Sequence, residues 1–198
     1  MLYNKNVKQY VIWGADMDDI STGGAVYLSN NLYPSINVDY GVASMLCTGA
    51  CWDAVLDFVK DSNHNVTSSS SWGNYFDSEI YKVYRGSLYQ NSAWSLADTT
   101  NGTEVTKNKS ILLTTGATER NSSKNIYDLA GNCYEWTTEA HYTFKRVLRG
   151  GNYNGYGSTA PPSDRGSYGP DVSSYLGYSF RPTLYIKYRN LFYIRSVC

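Results

Sequence analysis

Along most of this chain the apolar positions come in short runs broken by glycine, asparagine and serine, and one window departs from that habit. In GACWDAVLDFVKDS (49–62), Ala50, Ala54, Val55, Phe58 and Val59 fall near one helical face while Asp53, Asp57 and Lys60 fall elsewhere, which predicts a helix. Trp52 and Leu56 widen the apolar stripe, so this helix is expected to pack on two sides. Residues 1–44 are irregular, and their runs YVIW (10–13) and AVYL (25–28) suit edge strands. SNHNVTSSSSWGNYFDS (62–78) is polar and turn-rich, hence loop. Residues 79–110 offer only IYKVYRG and SAWSL before a polar stretch from Asp98 to Ser110.

Downstream the pattern tightens. SILLTTGATER (110–120) is a short apolar run closed by Gly116, and NIYDLAGNCYEWTTEAH (125–141) sets a turn at Gly131–Asn132 before a strand-like CYEWT. Both turn residues suit a positive φ. RVLRGG (146–151) predicts another strand, FRPTLYIK (180–187) alternates as a final core strand, and RNLFYIRSVC follows as a tail. The long stretch between those last two strands has no regular pattern. Inside a compact domain such a loop is functional or disordered.

The chain has 198 residues, enough for one domain with a sizeable core. Lys plus Arg and Asp plus Glu number 17 each, so there is no net basic charge to favour nucleic acid. No apolar run approaches the roughly 20 residues of a membrane span, and MLYNKNVKQYVIWGADMDD carries no h-region of a secretory signal. Cys47 and Cys51 have a spacing that could seat a metal pair, but neither a CxxC motif nor a histidine cluster accompanies them. With Cys133 and Cys198 they are expected to be small apolar side chains kept reduced, not a disulfide framework. Sequons at Asn65, Asn101, Asn108 and Asn121 are what a chain rich in Asn, Ser and Thr produces by chance.

The stretch RVLRGGNYNGYGSTAPPSDRGSY (146–168) is unusual for either a buried strand or a solvated loop. Tyr, Ser, Gly and Asn together are the chemistry of a contact surface: Tyr offers large area for two χ angles, and the small polar residues offer adaptable hydrogen bonds. Tyrosine is abundant everywhere in the chain, with 20 copies, so part of this enrichment is global.

Asn125, Tyr127, Asp128, Gly131, Asn132, Glu135 and Trp136, then Arg146, Arg149, Gly150 and Gly151, then Phe180 and Arg181, occur in a familiar order. With the helix CWDAVLDFVK they resemble the formylglycine-generating-enzyme (sulfatase-modifying factor) family over about residues 45–187. The resemblance implies an α+β, C-type-lectin-like fold with short strands, one or two helices and high loop content. It makes residues 45–198 the domain, with residues 1–44 a poorly matched segment for attachment or edge strands. Asp128, Gly131, Asn132, Glu135, Trp136, Arg149, Gly150, Gly151 and Arg181 are then scaffold, with Trp136 anchoring the core and Arg149 bonding buried carbonyls or a carboxylate such as Glu135.

The family's oxidases bind copper through cysteines just after Arg-Gly-Gly, where this chain has NYNGYGSTAPPSDRG and no cysteine. The related iron-dependent sulfoxide synthases need a histidine-rich site, and only His64 and His141 are present. No G-x-S-x-G elbow occurs. No catalytic residue, cofactor or dedicated metal site is therefore expected. The sugar-binding calcium signatures of the wider superfamily are missing as well, although loop carbonyls with Asp or Asn leave room for a structural calcium.

A non-catalytic branch of the fold accounts for the tyrosines. The chain resembles the variable proteins of diversity-generating retroelements, which keep the Arg-Gly-Gly scaffold and vary scattered positions after it. That resemblance puts the variable region at about residues 149–187. Gly157, Ser158, Pro161, Ser163 and Arg165 are expected as framework, and Asn152, Asn154, Tyr156, Thr159, Asp164, Ser167, Tyr168, Ser173, Ser174, Tyr175 and Tyr178 as the exchangeable, ligand-binding surface. The implied partner is a protein or glycan target on a host or neighbouring cell, with the chain carried on a phage tail or a bacterial surface, where a virion protein could serve as carrier. Two other readings are an oxidoreductase of the formylglycine-generating type and a non-diversified structural virion or surface module.

Overall fold

Short apolar runs separated by polar turns assemble here into several small sheets. The computed structural model describes residues 11, 13, 24–32, 42–172, 177–186 and 195–197. In chain order these form α1 (Ala25–Asn30), β1 (Val42–Leu46), α2 (Gly49–Val59), β2 (Tyr81–Val83), β3 (Ser87–Gln90), β4 (Ala93–Leu96), β5 (Thr103–Val105) and β6 (Leu112–Leu113). A 3₁₀ turn (Glu119–Asn121) precedes β7 (Ser122–Ser123), β8 (Ile126–Tyr127), β9 (Tyr134–Tyr142), β10 (Lys145–Arg149), β11 (Gly166–Tyr168), β12 (Tyr178–Phe180), β13 (Pro182–Ile186) and β14 (Arg195–Val197). The class is α+β, mostly strand with few helices.

The four-stranded sheet runs β11-β10-β9-β12, and a three-stranded sheet runs β1-β13-β14. FRPTLYIK is thus not one strand. It divides at Arg181 into β12, parallel to β9, and β13, antiparallel to β1. Arg181 sits at the corner between the sheets, donating to both carboxylate oxygens of Glu135 at 2.8 Å and to the Tyr127 carbonyl at 3.1 Å. A bidentate pair fixes geometry as well as charge, so the strand break is held by chemistry and not by a turn. The long segment after β10 leaves the sheet where Arg149 faces Glu135, adds β11 along the far edge of β10, and ends where Tyr178 faces Tyr134 on the other side of β9.

Helix α2 is capped by Thr48, whose hydroxyl oxygen accepts the Cys51 amide at 3.0 Å. Its buried residues are Trp52, Val55, Leu56 and Val59, an i, i+3, i+4, i+7 stripe. Ala50 and Ala54 are exposed, and Phe58 turns outward beneath the Lys124 ammonium. The helix therefore packs on one side rather than two, against Trp72, Tyr75 and Leu129. AVYL is helical, not an edge strand: Ala25 and Ser29, four apart, are its buried positions. Val11 and Trp13 lie in no strand and pack with α1 around Trp136, Leu148 and Tyr178. The Trp136 indole donates to the Val11 carbonyl at 2.6 Å, so residues ahead of position 44 contribute to the core beside β9.

Asn132 ties these pieces together. With Gly131 it forms the expected left-handed turn, at φ 64° and 73°. Its buried amide accepts from Leu113 N at 2.9 Å and donates to Leu113 O at 3.1 Å, standing in for a missing strand beside β6. The same oxygen accepts from Asn74, whose amide also donates to Ile111 O at 2.9 Å. Nearby, Asp128 is buried at φ 55° and accepts the Gly116 amide at 2.9 Å.

Burial pushes the Asp128 pKa up from 3.8 to about 7, against the pull of the Gly116 amide and Arg181. A carboxyl held protonated in the native state stabilises fully below its unfolded pKa, and that contribution is lost as pH rises towards 7. Urea unfolding from pH 4 to 8 should show this decline in wild type and a flatter profile in Asp128→Asn. Parallel profiles would remove Asp128 as the cause.

Candidate functional site

The segment that follows Gly151 is regular only at β11, and what its own turns leave unpaired must be satisfied from outside. Helix α2 and the end of β10 supply one set of partners. The Trp52 indole donates to Pro162 O at 3.0 Å, and the fully buried Arg149 guanidinium donates to the carbonyls of Ser163 and Asp164 at 3.1 Å each. The loop between α2 and β2 supplies the other. Gly157 O accepts the Ser69 amide at 2.9 Å, Gly157 N donates to the Asp77 carboxylate at 2.9 Å, and Gly155 O accepts the Phe76 amide at 2.9 Å. Ser163 N completes the set by donating to Val66 O at 3.1 Å.

Charge reinforces this grip. Asp53 lies between Arg149 and Arg165, accepting from both, and Arg165 also donates to Glu139 at 2.8 Å. Two guanidinium groups thus meet two carboxylates. Burial lowers the Arg149 pKa and Arg165 adds to that effect, while Asp53 and Glu139 oppose it. The carboxylate partner of Arg149 is therefore Asp53, not Glu135, whose two oxygens are taken by Arg181.

Of the expected surface positions, Asn154, Tyr156, Thr159, Asp164 and Tyr168 are exposed and Ser167 is half-buried. Tyr156 is 50 % exposed and its ring meets the edge of Phe76 with centroids 5.7 Å apart. Asn154 accepts from the Ser110 hydroxyl at 2.5 Å. Tyr168, on edge strand β11, is 46 % exposed and packs against Tyr178 at 5.6 Å. Tyr156 and Tyr168 have different aromatic neighbours, one in the loop before β2 and the other on β12.

Two positions do not belong on that surface. Asn152 is buried and its side-chain oxygen accepts the Asn154 backbone amide at 3.2 Å, and Tyr178 is buried against Trp136 with centroids 5.6 Å apart. β12 pairs with β9, which draws the Tyr178 side chain into the core. Ser173, Ser174 and Tyr175 lie outside the described residues. Among the framework positions Pro161 is buried and Ser163 is held through its backbone, whereas Ser158 is exposed.

The thiols also depart from expectation in part. Cys47 and Cys133 are free and buried, and burial raises both pKa values, but Cys51 is disulfide-bonded. Among the described residues no group of three or more His, Cys, Asp or Glu side chains is placed to hold a metal ion. No described helix is long and apolar enough to cross a membrane. The partners that sequence reasoning missed are Asp53, Ser69, Phe76, Asp77, Ser110 and Glu139. Most lie in segments whose polar pattern says loop and nothing about which other loop they hold. No family model matches this chain, and neither a curated protein nor a solved structure does.

The grip on the segment can be tested at Gly157, where an added Cβ would lie 2.5 Å from Ser70 N. Because that neighbour is backbone, Gly157→Ala should destabilise by about 1–3 kcal/mol in urea unfolding. An unchanged midpoint would mean the two loops are not in contact in solution.

Proposed function

We propose that this chain is a non-enzymatic binding protein of C-type-lectin-like fold, of the kind diversified by a retroelement. On this reading the segment after Gly151 is its combining surface, displayed towards a protein or glycan target from a phage tail or bacterial surface. The observation that carries the proposal is a division within the segment. Its backbone is gripped by Trp52, Arg149, Asp77 and the Ser69–Phe76 loop, while the side chains of Asn154, Tyr156, Thr159, Asp164 and Tyr168 are exposed. Side chains that the fold does not need can be exchanged without unfolding it.

The leaving and returning positions beside β9 support the same reading, because both ends of the segment rest on one rigid strand. A rigid base lets half-exposed tyrosines present contact area at small entropic cost. Single contacts of this sort are weak, and display in several copies on a particle would raise overall avidity.

The proposal separates tyrosines by burial. Combined Tyr156→Ala and Tyr168→Ala substitutions should leave stability within about 1 kcal/mol of wild type and abolish binding to a target selected from a display screen. Tyr178→Ala should cost about 3–5 kcal/mol, as other large aromatic truncations in cores do. Unfolding by the exposed pair would make them core residues and end this reading. Diversification is tested at the DNA level: a nearby near-copy of the Arg149–Lys187 coding segment, differing from the gene where the copy has adenine, is expected. An invariant locus with no copy and no reverse transcriptase would leave a fixed-specificity module.

A further inference from the structure

Beside the exchangeable positions lies an open surface depression of about 500 Å³, lined by Gln90, Asn91, Ser92, Lys109 and Ser110. None of these residues comes from the segment after Gly151. Asn91 and Ser92 form the tight turn between β3 and β4, both left-handed at φ 52° and 64°, which fixes one wall. The opposite wall is anchored through Asn108, whose amide donates to Phe76 O at 2.7 Å. Ser110 then reaches Asn154 at 2.5 Å, and Phe76 carries the Tyr156 ring. The depression, Asn154 and Tyr156 are therefore one connected surface.

We infer that this open depression is a fixed subsite of the combining surface and takes an acidic saccharide, with Lys109 facing its carboxylate. The inference deepens the binding reading above and rests on it. The size lies within the range of small-ligand sites. The lining side chains include no apolar one, so a peptide's hydrophobic anchor would gain nothing there. The Gln90 and Asn91 amides and the Ser92 hydroxyl both donate and accept, and Ser110, whose proton goes to Asn154, accepts; this matches sugar hydroxyls, whereas a simple inorganic anion would use donors alone. Lys109 is the one charged residue in the lining, and its ammonium selects a carboxylate-bearing ring over a neutral one. Asn154 at the margin lets an exchangeable residue tune what the constant pocket holds.

The test is a titration of the ¹⁵N-labelled chain followed by amide shifts, with glucuronate as the probe and glucose and acetate as controls. Glucuronate should move the amides of Asn91, Ser92, Lys109 and Ser110 at millimolar concentration, more than either control does. Lys109→Ala, at an exposed position, should keep the thermal midpoint and weaken glucuronate binding about tenfold, the value of one charge-assisted contact. No shift at these amides would overturn the inference. Shifts equal to those from acetate would reduce the pocket to an anion spot, and shifts equal to those from glucose would remove the role of Lys109; either result rejects the acidic saccharide. If the pocket fails while the tyrosine variants still lose their target, the binding surface stands without this subsite. If the tyrosine variants unfold instead, the wider reading fails on its own.

Discussion

The buried side-chain amide of Asn132 is the contact on which most of this molecule converges. It takes the place of a strand beside Leu113, holds Asn74 through a second amide, and sits in a left-handed turn that no β-branched residue would adopt cheaply. Its backbone accepts the Tyr153 amide at 3.0 Å and donates to Asn74 O at 2.8 Å. One residue thereby links the small sheet containing β6, the loop before β2, and the first residues of the exposed segment. A buried amide left with unmet partners costs about 1–3 kcal/mol per group. A rearrangement of this junction would strand several such groups at once.

Around that junction, polar contacts replace much of what a large sheet would otherwise supply. The strands of the four-stranded sheet are mostly short; Glu135–Arg181 and Trp136–Val11 join neighbours to it, and Trp52–Pro162 joins α2 to the segment after Gly151, each pairing residues distant in sequence. These bonds favour one arrangement more than they add net stability, since each replaces hydrogen bonds to water. The apolar clusters around Trp52, Trp136 and Val83 supply the bulk of the driving force. Exposed tyrosines then rest on a base whose geometry they do not determine, which suits the proposed role.

Local pattern made some of this readable and hid the rest. The helix expected over 49–62, which ends at Val59, the turn at Gly131–Asn132 and the strands in CYEWT and RVLRGG follow from periodicity and turn chemistry, and all are present. The break at Arg181 is not readable that way, because alternation over FRPTLYIK continues through a residue that changes sheets. AVYL reads as an edge strand in the sequence and is helical, because a run this short does not let period separate strand from helix. In the exposed segment, residue type marked Tyr156 and Tyr168, but it marked Tyr178 equally, and only its pairing with β9 reveals that Tyr178 is core. The loops that grip the segment carry no periodic signal at all, since loop-to-loop hydrogen bonds impose none.

The segment that leaves β10 opposite Glu135 and comes back at β12 opposite Tyr134 closes on itself across two strand spacings, about 10 Å. The separation of its ends is therefore set by the sheet and does not depend on how many residues lie between. For a flexible loop with fixed ends, doubling the length adds only about 0.6 kcal/mol of closure entropy. Because β11 lies within the segment and pairs with β10, changes in length cost the fold little only away from β11 and from the grips at Gly157 and Ser163. The architecture tolerates insertions and deletions there as well as substitutions, and the reach of the surface can vary along with its chemistry.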